Sequence, residues 1–374
     1  MKIVLISPAH PLRGGIAASS ERLAQALQEA GHEVVLYSFR VQYPSFLFPG
    51  KSQYTDDPPP DGLRIETKLN SINPINWLFS GIGLARELPD RIVVRFWLPF
   101  MGPCLGTVLR VARRFGRKGF RITALVDNII PHEKRPGDRL FARYFVRACN
   151  DFVVMSRSVG EEIKTFLPAK KRDDRRVRFA PHPIYDNYGV AVSQPLARRE
   201  LGVPETARTV LFFGFIRAYK GLDLLLKALA QTTDIHAIIA GEPYEDWSAY
   251  QSIIEEKNLT GRVHVFTDFI PAERVRYFFS AADLVVQPYK TATQSGISQI
   301  AYHFDKPMVV TAVGGLPEIV RHGVSGYVVA PEPEALAAAM QDFFDQDRGE
   351  AMVEGVRQEK ARFSWENLVA AILG

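Results

Sequence analysis

The stretch DLVVQPYKTATQSGISQIAYHFDKPMVVTAVGGLPEIV, Asp283 to Val320, decides the fold. Leu284 to Val286 form a short apolar run and Met308 to Thr311 a second, each reading as a buried strand of a parallel sheet. Between them Ser295-Gly296 opens a segment in which Ile297, Ile300, Ala301 and Phe304 recur at helical spacing. The backbone N–H groups from Gln294 to Ile297 are therefore expected at a helix N-terminus. Such an end offers unpaired donors and roughly half a positive charge to an anion. A glycine there lets a diphosphate come close to the backbone.

The same strand, loop and helix unit recurs outward in both directions. At the start, KIVLIS (Lys2 to Ser7) leads through a loop carrying Gly14-Gly15 to a helix over Ser19 to Ala30, then a strand over Glu33 to Ser38. Further strands are read at Arg91 to Trp97, Arg121 to Val126, Asp151 to Met155 and Arg176 to Pro181, with helices across 98–116 and Ser158 to Phe166. A second series begins at Thr209 to Phe213 and continues through Ala237 to Gly241 and Val263 to Phe266. Its helices fall at Leu222 to Leu229, Tyr250 to Lys257, Ala272 to Ala282 and 333–346, and a last short strand lies within 323–329. A chain of 374 residues exceeds what one core usually serves, so two doubly wound α/β domains are expected. Residues 41–76 are rich in Pro, Tyr and Phe and show no regular pattern. They read as a functional loop or as a plain surface excursion.

Composition is that of an ordinary globular protein, 47% hydrophobic and 23% charged, with no apolar run of membrane-spanning length. The opening MKIVLISPAH places a core strand directly after Met1, which does not read as a signal peptide. Cys104 and Cys149 are the only cysteines and lack metal-ligand spacing, which fits the reducing cytoplasm. Of the net charge of +5, much gathers on one helix, where Arg110, Arg113, Arg114, Arg117 and Lys118 oppose Leu105, Val108, Leu109 and Ala112. A second cluster runs from Lys170 to Arg178. Such a stripe is either a solvated face or a means of holding the protein at an anionic membrane surface on the inner side of the cell membrane. Nucleic acid is not expected as a partner, since no recognised binding module accompanies the charge.

Two more loops carry candidate chemistry. Asp127-Asn128 follow an apolar strand, at the end where open α/β sheets place their ligands. His132 follows a few residues later and could equally serve a structural role beside Glu133. In GFIRAYKG, Arg217 and Lys220 stand before a helix, suited to the negative charge of a departing diphosphate or simply exposed on a loop. No G-x-G-x-x-G follows the first strand, which speaks against a nicotinamide cofactor, and no carboxylate pair of a metal site stands at a strand end.

Together, the Ser-Gly loop, Lys306-Pro307, the apolar strand and Gly314-Gly315-Leu316-Pro317-Glu318 resemble the donor-binding signature of GT-B retaining glycosyltransferases, family 4 in particular. The resemblance covers nearly the whole chain. It implies two Rossmann-like domains facing a cleft: an acceptor domain over 1–186, a nucleotide-sugar donor domain over 187–355, and a final segment, 356–374, crossing back. It implies transfer of a hexose from a UDP- or GDP-sugar to a glycan or lipid-linked acceptor, in bacterial cell-surface polysaccharide or glycolipid synthesis, without a metal or other cofactor. The implied catalytic set is Asp127, His132, Arg217 and Lys220. Gly14, Gly15, Asn128, Phe269, Ile270, Gln294, Ser295, Gly296, Ile297, Gln299 and Glu318 would contact the donor, Gln299 through the ribose. The chain departs from the pattern at Ala292 and Ile300, where the family carries two glutamates, and at Phe215, where it carries an arginine. Thr293-Gln294-Ser295-Gly296 resembles a branch in which this loop replaces the first glutamate. A non-catalytic binding subunit would also account for the missing acids. A GT-B epimerase or phosphorylase fits less well, since neither its carboxylate set nor a cofactor-anchoring lysine motif is found.

Overall fold

The computed structural model describes residues 1–44, 52–56, 58–130, 135–167, 177–292 and 295–374. The chain divides into two units, one made of Met1–His182 with Trp365–Gly374 and one made of Pro183–Ser364. No described helix is long and apolar enough to cross a membrane.

The first unit opens with β1 (Lys2–Ile6), α1 (Gly15–Glu29), β2 (Glu33–Val41), β3 (Arg64–Asn70) and α2 (Pro74–Arg86). It continues with β4 (Arg91–Phe96), α3 (Gly102–Phe115), β5 (Arg121–Val126), α4 (Asp138–Val146), β6 (Asp151–Val154), α5 (Arg157–Lys164) and β7 (Val177–Phe179). The strands form one parallel sheet in the order β3-β2-β1-β4-β5-β6-β7. Its central strands are buried along nearly their whole length because helices cover both faces.

The second unit runs α6 (Gln194–Glu200), β8 (Arg208–Phe213), α7 (Leu222–Leu229), β9 (Ile235–Ala240), α8 (Ser248–Glu256) and β10 (Val263–Phe266). After α9 (Ala272–Ala281) come β11 (Leu284–Gln287), α10 (Gly296–His303), β12 (Met308–Thr311), α11 (Leu316–Ile319) and β13 (Gly326–Val329). The helices α12 (Pro333–Asp345) and α13 (Gly349–Glu359) complete it, and α14 (Trp365–Leu373) belongs to the first unit. Its sheet is parallel in the order β10-β9-β8-β11-β12-β13.

The division differs from the expected boundaries at 186 and 356. Residues 356–364 stay with the second unit, where Val356 is buried in its interior, the Phe363 ring packs on Tyr302 and the Phe363 carbonyl accepts from the Ile184 amide. Only α14 returns, held by Arg91 of β4, which donates to the carbonyls of Ile372 and Leu373 at 2.8 Å each. Within 41–76, read as irregular, the chain forms β3 and the start of α2. Strand β3 is a mostly polar edge strand with one fully buried residue, Leu69, so no apolar run betrays it.

Candidate functional site

In a doubly wound sheet, ligands collect outside the carboxyl ends of the strands, where neighbouring connections leave in opposite directions. In the second unit that point lies between β8 and β11. The loop after β8 carries Lys220, and the loop after β11 carries Ser295-Gly296. Topology thus brings together two motifs more than seventy residues apart in sequence.

Their meeting is visible atom by atom. A Cβ added to Gly214, at the end of β8, would lie 2.9 Å from Lys220 Nζ and 3.2 Å from Ile297 Cδ1. The bare glycine, at φ +97°, is what lets the ammonium and the first turn of α10 share that space. Lys220 Nζ stands 5.8 Å from the centre of the Tyr289 ring, and the Tyr289 hydroxyl lies 3.2 Å from Ser295 Oγ. Ser295 caps α10, its Oγ accepting from the Ile297 amide. Burial, and secondarily the charge of Arg217, push the Lys220 ammonium down to about 7. Among the described residues Lys220 makes no ion pair, so this buried amine at a helix N-terminus is suited to an anion.

Two of the expected residues have neighbours that the sequence does not show. At Gly296 an added Cβ would lie 2.8 Å from Tyr185 Cε2, so packing inside the unit also requires glycine there. Arg217, close enough to Lys220 for its charge to act there, is itself exposed and lies over the Tyr244 ring, 4.8 Å from its centre. Tyr244 in turn stacks on Phe215 at 4.6 Å, so the phenylalanine in the arginine's place forms an aromatic platform.

The remaining predicted residues are dispersed. Gln299 lies on α10 fully buried, and neither end of its amide has a hydrogen-bond partner among the described residues. Phe269 is exposed and Ile270 half-buried after β10, and Glu318 is half-buried in α11, its carbonyl accepting from Arg362. Ile300, at the position of the second family glutamate, is buried. Gln294 and His132 lie outside the described residues.

In the first unit, Gly14 caps α1 and Gly15 opens it, so the helix begins four residues before the expected Ser19. Asp127 ends β5 beside the half-buried Asn128. Asp127 also has a structural partner, Arg95. This guanidinium, buried in β4, donates from Nε and Nη2 to both Asp127 oxygens at 2.7 and 2.9 Å. Its Nη1 reaches the hydroxyls of Ser19 and Ser20 at 2.6 and 3.0 Å, under the first turn of α1. Sequence reasoning missed Arg95, Tyr185 and Tyr289. Only Arg95 left a signal, a lone charge inside the apolar run IVVRFW.

A separate cavity of about 710 Å³ opens at the amino ends of the second sheet, lined in part by Arg198, Asp283, Lys306 and Arg357. Its cations are already engaged, Arg198 by Asp283, Lys306 by the Ala282 carbonyl and Arg357 by Asp305. It lies at the wrong end of the strands for the site above.

Residues 193–359 match the sequence profile of the family described as glycosyl transferases group 1, so the second unit carries such a domain. The chain is 35% identical over 192 residues to a D-inositol 3-phosphate glycosyltransferase of Mycolicibacterium gilvum, an alignment covering 47% of this chain and 41% of that protein. It thus spans less than half the length of the curated relatives it matches. Among solved structures, sucrose-phosphate synthase from Thermosynechococcus elongatus aligns with a TM-score of 0.74 at 19% identity, over 100% of this chain and 96% of that one. Anabaena HepE in complex with UDP-glucose aligns with a TM-score of 0.72 at 18% identity, over 100% of this chain and 98% of that one. The two parallel-sheet units have the GT-B fold of these structures.

Proposed function

We propose that the protein is a retaining glycosyltransferase of family 4, in the branch with a TQSG loop, moving a hexose from a UDP- or GDP-sugar to a glycan or lipid-linked acceptor. The observation that carries this reading is the buried Lys220 against the N-terminus of α10. Lys220 and the α10 dipole neutralise the charge that grows on the leaving diphosphate, the task other transferases give to a divalent ion. Arg217 adds long-range positive charge from its seat on Tyr244. The unpartnered Gln299 amide is suited to a ribose hydroxyl in place of the absent glutamate. Asp127 acts through Arg95 as a positioning residue for the Gly14-Gly15 turn and for Asn128. The acceptor hydroxyl attacks from the face the diphosphate leaves. The departing phosphate oxygen takes its proton, so no enzymatic nucleophile is needed. A place in bacterial cell-surface polysaccharide or glycolipid synthesis, in the cytoplasm, accords with this donor class.

The test is calorimetric titration with UDP, GDP and ADP and their sugars, followed by release of nucleoside diphosphate with an acceptor panel. Binding without release under every acceptor would favour the second reading, a non-catalytic nucleotide-sugar-binding subunit, which the apolar Ala292 and Ile300 support. Absence of binding to any nucleoside diphosphate would refute both.

A further inference from the structure

In the first unit, α3 packs between α2 and α4 with unusually close approaches. A Cβ on Gly81 would come within 2.6 Å of Val111, one on Gly102 within 2.4 Å of the Phe141 carbonyl, and one on Gly106 within 2.7 Å of the Tyr144 ring. The three helices therefore form one layer.

The arginine stripe of α3 is solvent-exposed at Arg113, Arg114 and Arg117, but most of its guanidiniums are engaged within the unit. Arg110 donates to the Gly106 and Tyr144 carbonyls and lies 3.8 Å from the centre of the Tyr144 ring. Arg113 holds the Ala148 carbonyl and Asn150, and Arg117 pairs with Asp90. What α2 exposes instead is apolar. Ile75 is 66% exposed, Leu78 49% and Phe79 69%, and Ile72, just ahead of the helix, is 49% exposed. Positions 75, 78 and 79 share one face of a helix, and Arg86 extends that face two turns on. Exposed apolar residues scattered singly need no explanation, but three large ones on one helical face, with a fourth just ahead of it, mark an interaction surface.

The charge around this face selects the partner. The three helices carry Arg86, Arg110, Arg113, Arg114, Arg139 and Arg143 against a single acid, Asp138, which is buried. Phe115, at the end of α3 beside the α2 C-terminus, is also exposed. Among the described residues Arg86, Arg114 and Lys118 are exposed and carry no ion pair. An apolar stripe with exposed, unpaired cations near it, on helices whose one acid is buried, fits a surface that is hydrocarbon within and anionic at its rim. A nucleic acid would use the cations and leave Ile75 and Phe79 in water.

We propose that the exposed face of α2, with Arg86, Arg114 and Lys118, is the surface by which this protein seats on an anionic lipid bilayer, Ile75, Leu78 and Phe79 entering the headgroup boundary. The experiment is co-sedimentation of the full chain with mixed phosphatidylglycerol–phosphatidylcholine vesicles and with pure phosphatidylcholine vesicles. Wild type is compared with Ile75→Ser/Phe79→Ser and with Arg86→Gln/Arg114→Gln/Lys118→Gln, each shown to melt as wild type does. Wild type is expected on the anionic vesicles only. The apolar pair should lower the partition coefficient about tenfold or more, and each cation removed about fivefold. Binding to anionic vesicles that survives the serine pair overturns the assignment to α2, as does equal binding to neutral vesicles. Self-association lost in the serine pair, with no vesicle binding by wild type, gives the face to a second copy of the chain. Competition by a single-stranded oligonucleotide that the serine pair leaves unchanged gives it to nucleic acid.

Discussion

Replacing Lys220 by methionine is expected to make the second unit more stable while destroying the affinity the lysine exists to provide. An ordinary lysine titrates near 10.5, and burial with the neighbouring Arg217 brings this one to about 7. Between those values the unfolded chain binds a proton that the folded protein does not, so stability rises with pH across this window and is lowest below it. The cost of the buried group is on the order of 4 kcal/mol at pH 7 and falls to about 2 kcal/mol at pH 9. Methionine keeps a comparable stem and removes the titration. The variant should therefore gain most below pH 7, with its advantage shrinking steadily toward pH 10. Urea unfolding at pH 6.5, 7.5 and 9, read by hydrogen exchange on peptides of β8 and α7, isolates the second unit. Nucleoside diphosphate affinity, measured in parallel, should weaken in wild type as pH rises above about 7, because binding requires the protonated amine. In the variant it should be low and flat with pH. A methionine variant no more stable at pH 6.5 than at pH 9, relative to wild type, would refute the reasoning.

Further outcomes follow from the same geometry. Gly296→Ala should destabilise by about 1–3 kcal/mol through overpacking on Tyr185, and adding Tyr185→Ala should relieve part of that loss in a thermal double-mutant cycle. Asp127→Asn leaves the Arg95 guanidinium buried without its counter-charge, a loss of about 3–5 kcal/mol; Arg95→Met/Asp127→Leu should melt higher than the single variant. Donor turnover should persist in excess chelator; full inhibition reversed by magnesium or manganese would reveal an overlooked metal site.

How much of this was legible beforehand depended on where each residue's partners lie. The strands β1, β5, β8 and β11 and the helix α7 were readable because apolar runs buried on both faces, or apolar periods of 3.6, leave a direct imprint. The meeting of Lys220 with α10 was readable only through the order of strands, which a resemblance could supply and periodicity could not. Helix α2 was missed for an instructive reason. Its outer face is as apolar as its inner one, so PINWLFSGIGLAR shows little amphipathic contrast, the very property that marks it as a surface for docking. The Asp127–Arg95 pair was unreadable because its members stand on neighbouring strands 32 residues apart. Gly296 was legible as a place of missing bulk, but Tyr185, the neighbour that fills the space, stands over a hundred residues away in sequence.

The return of α14 to the first unit has a consequence for the order in which the protein is made. The second unit is an uninterrupted run, Pro183–Ser364, and has all its residues in hand once Ser364 leaves the ribosome. The first unit does not, although most of it is synthesised earlier. Arg91 waits in β4 for two carbonyls that emerge some 280 residues later, and the ring of Trp365 must still find Arg22 of α1. The half begun first is thus the half finished last, and during translation the Arg91 end of β4 and the Arg22 side of α1 stay uncovered until α14 arrives.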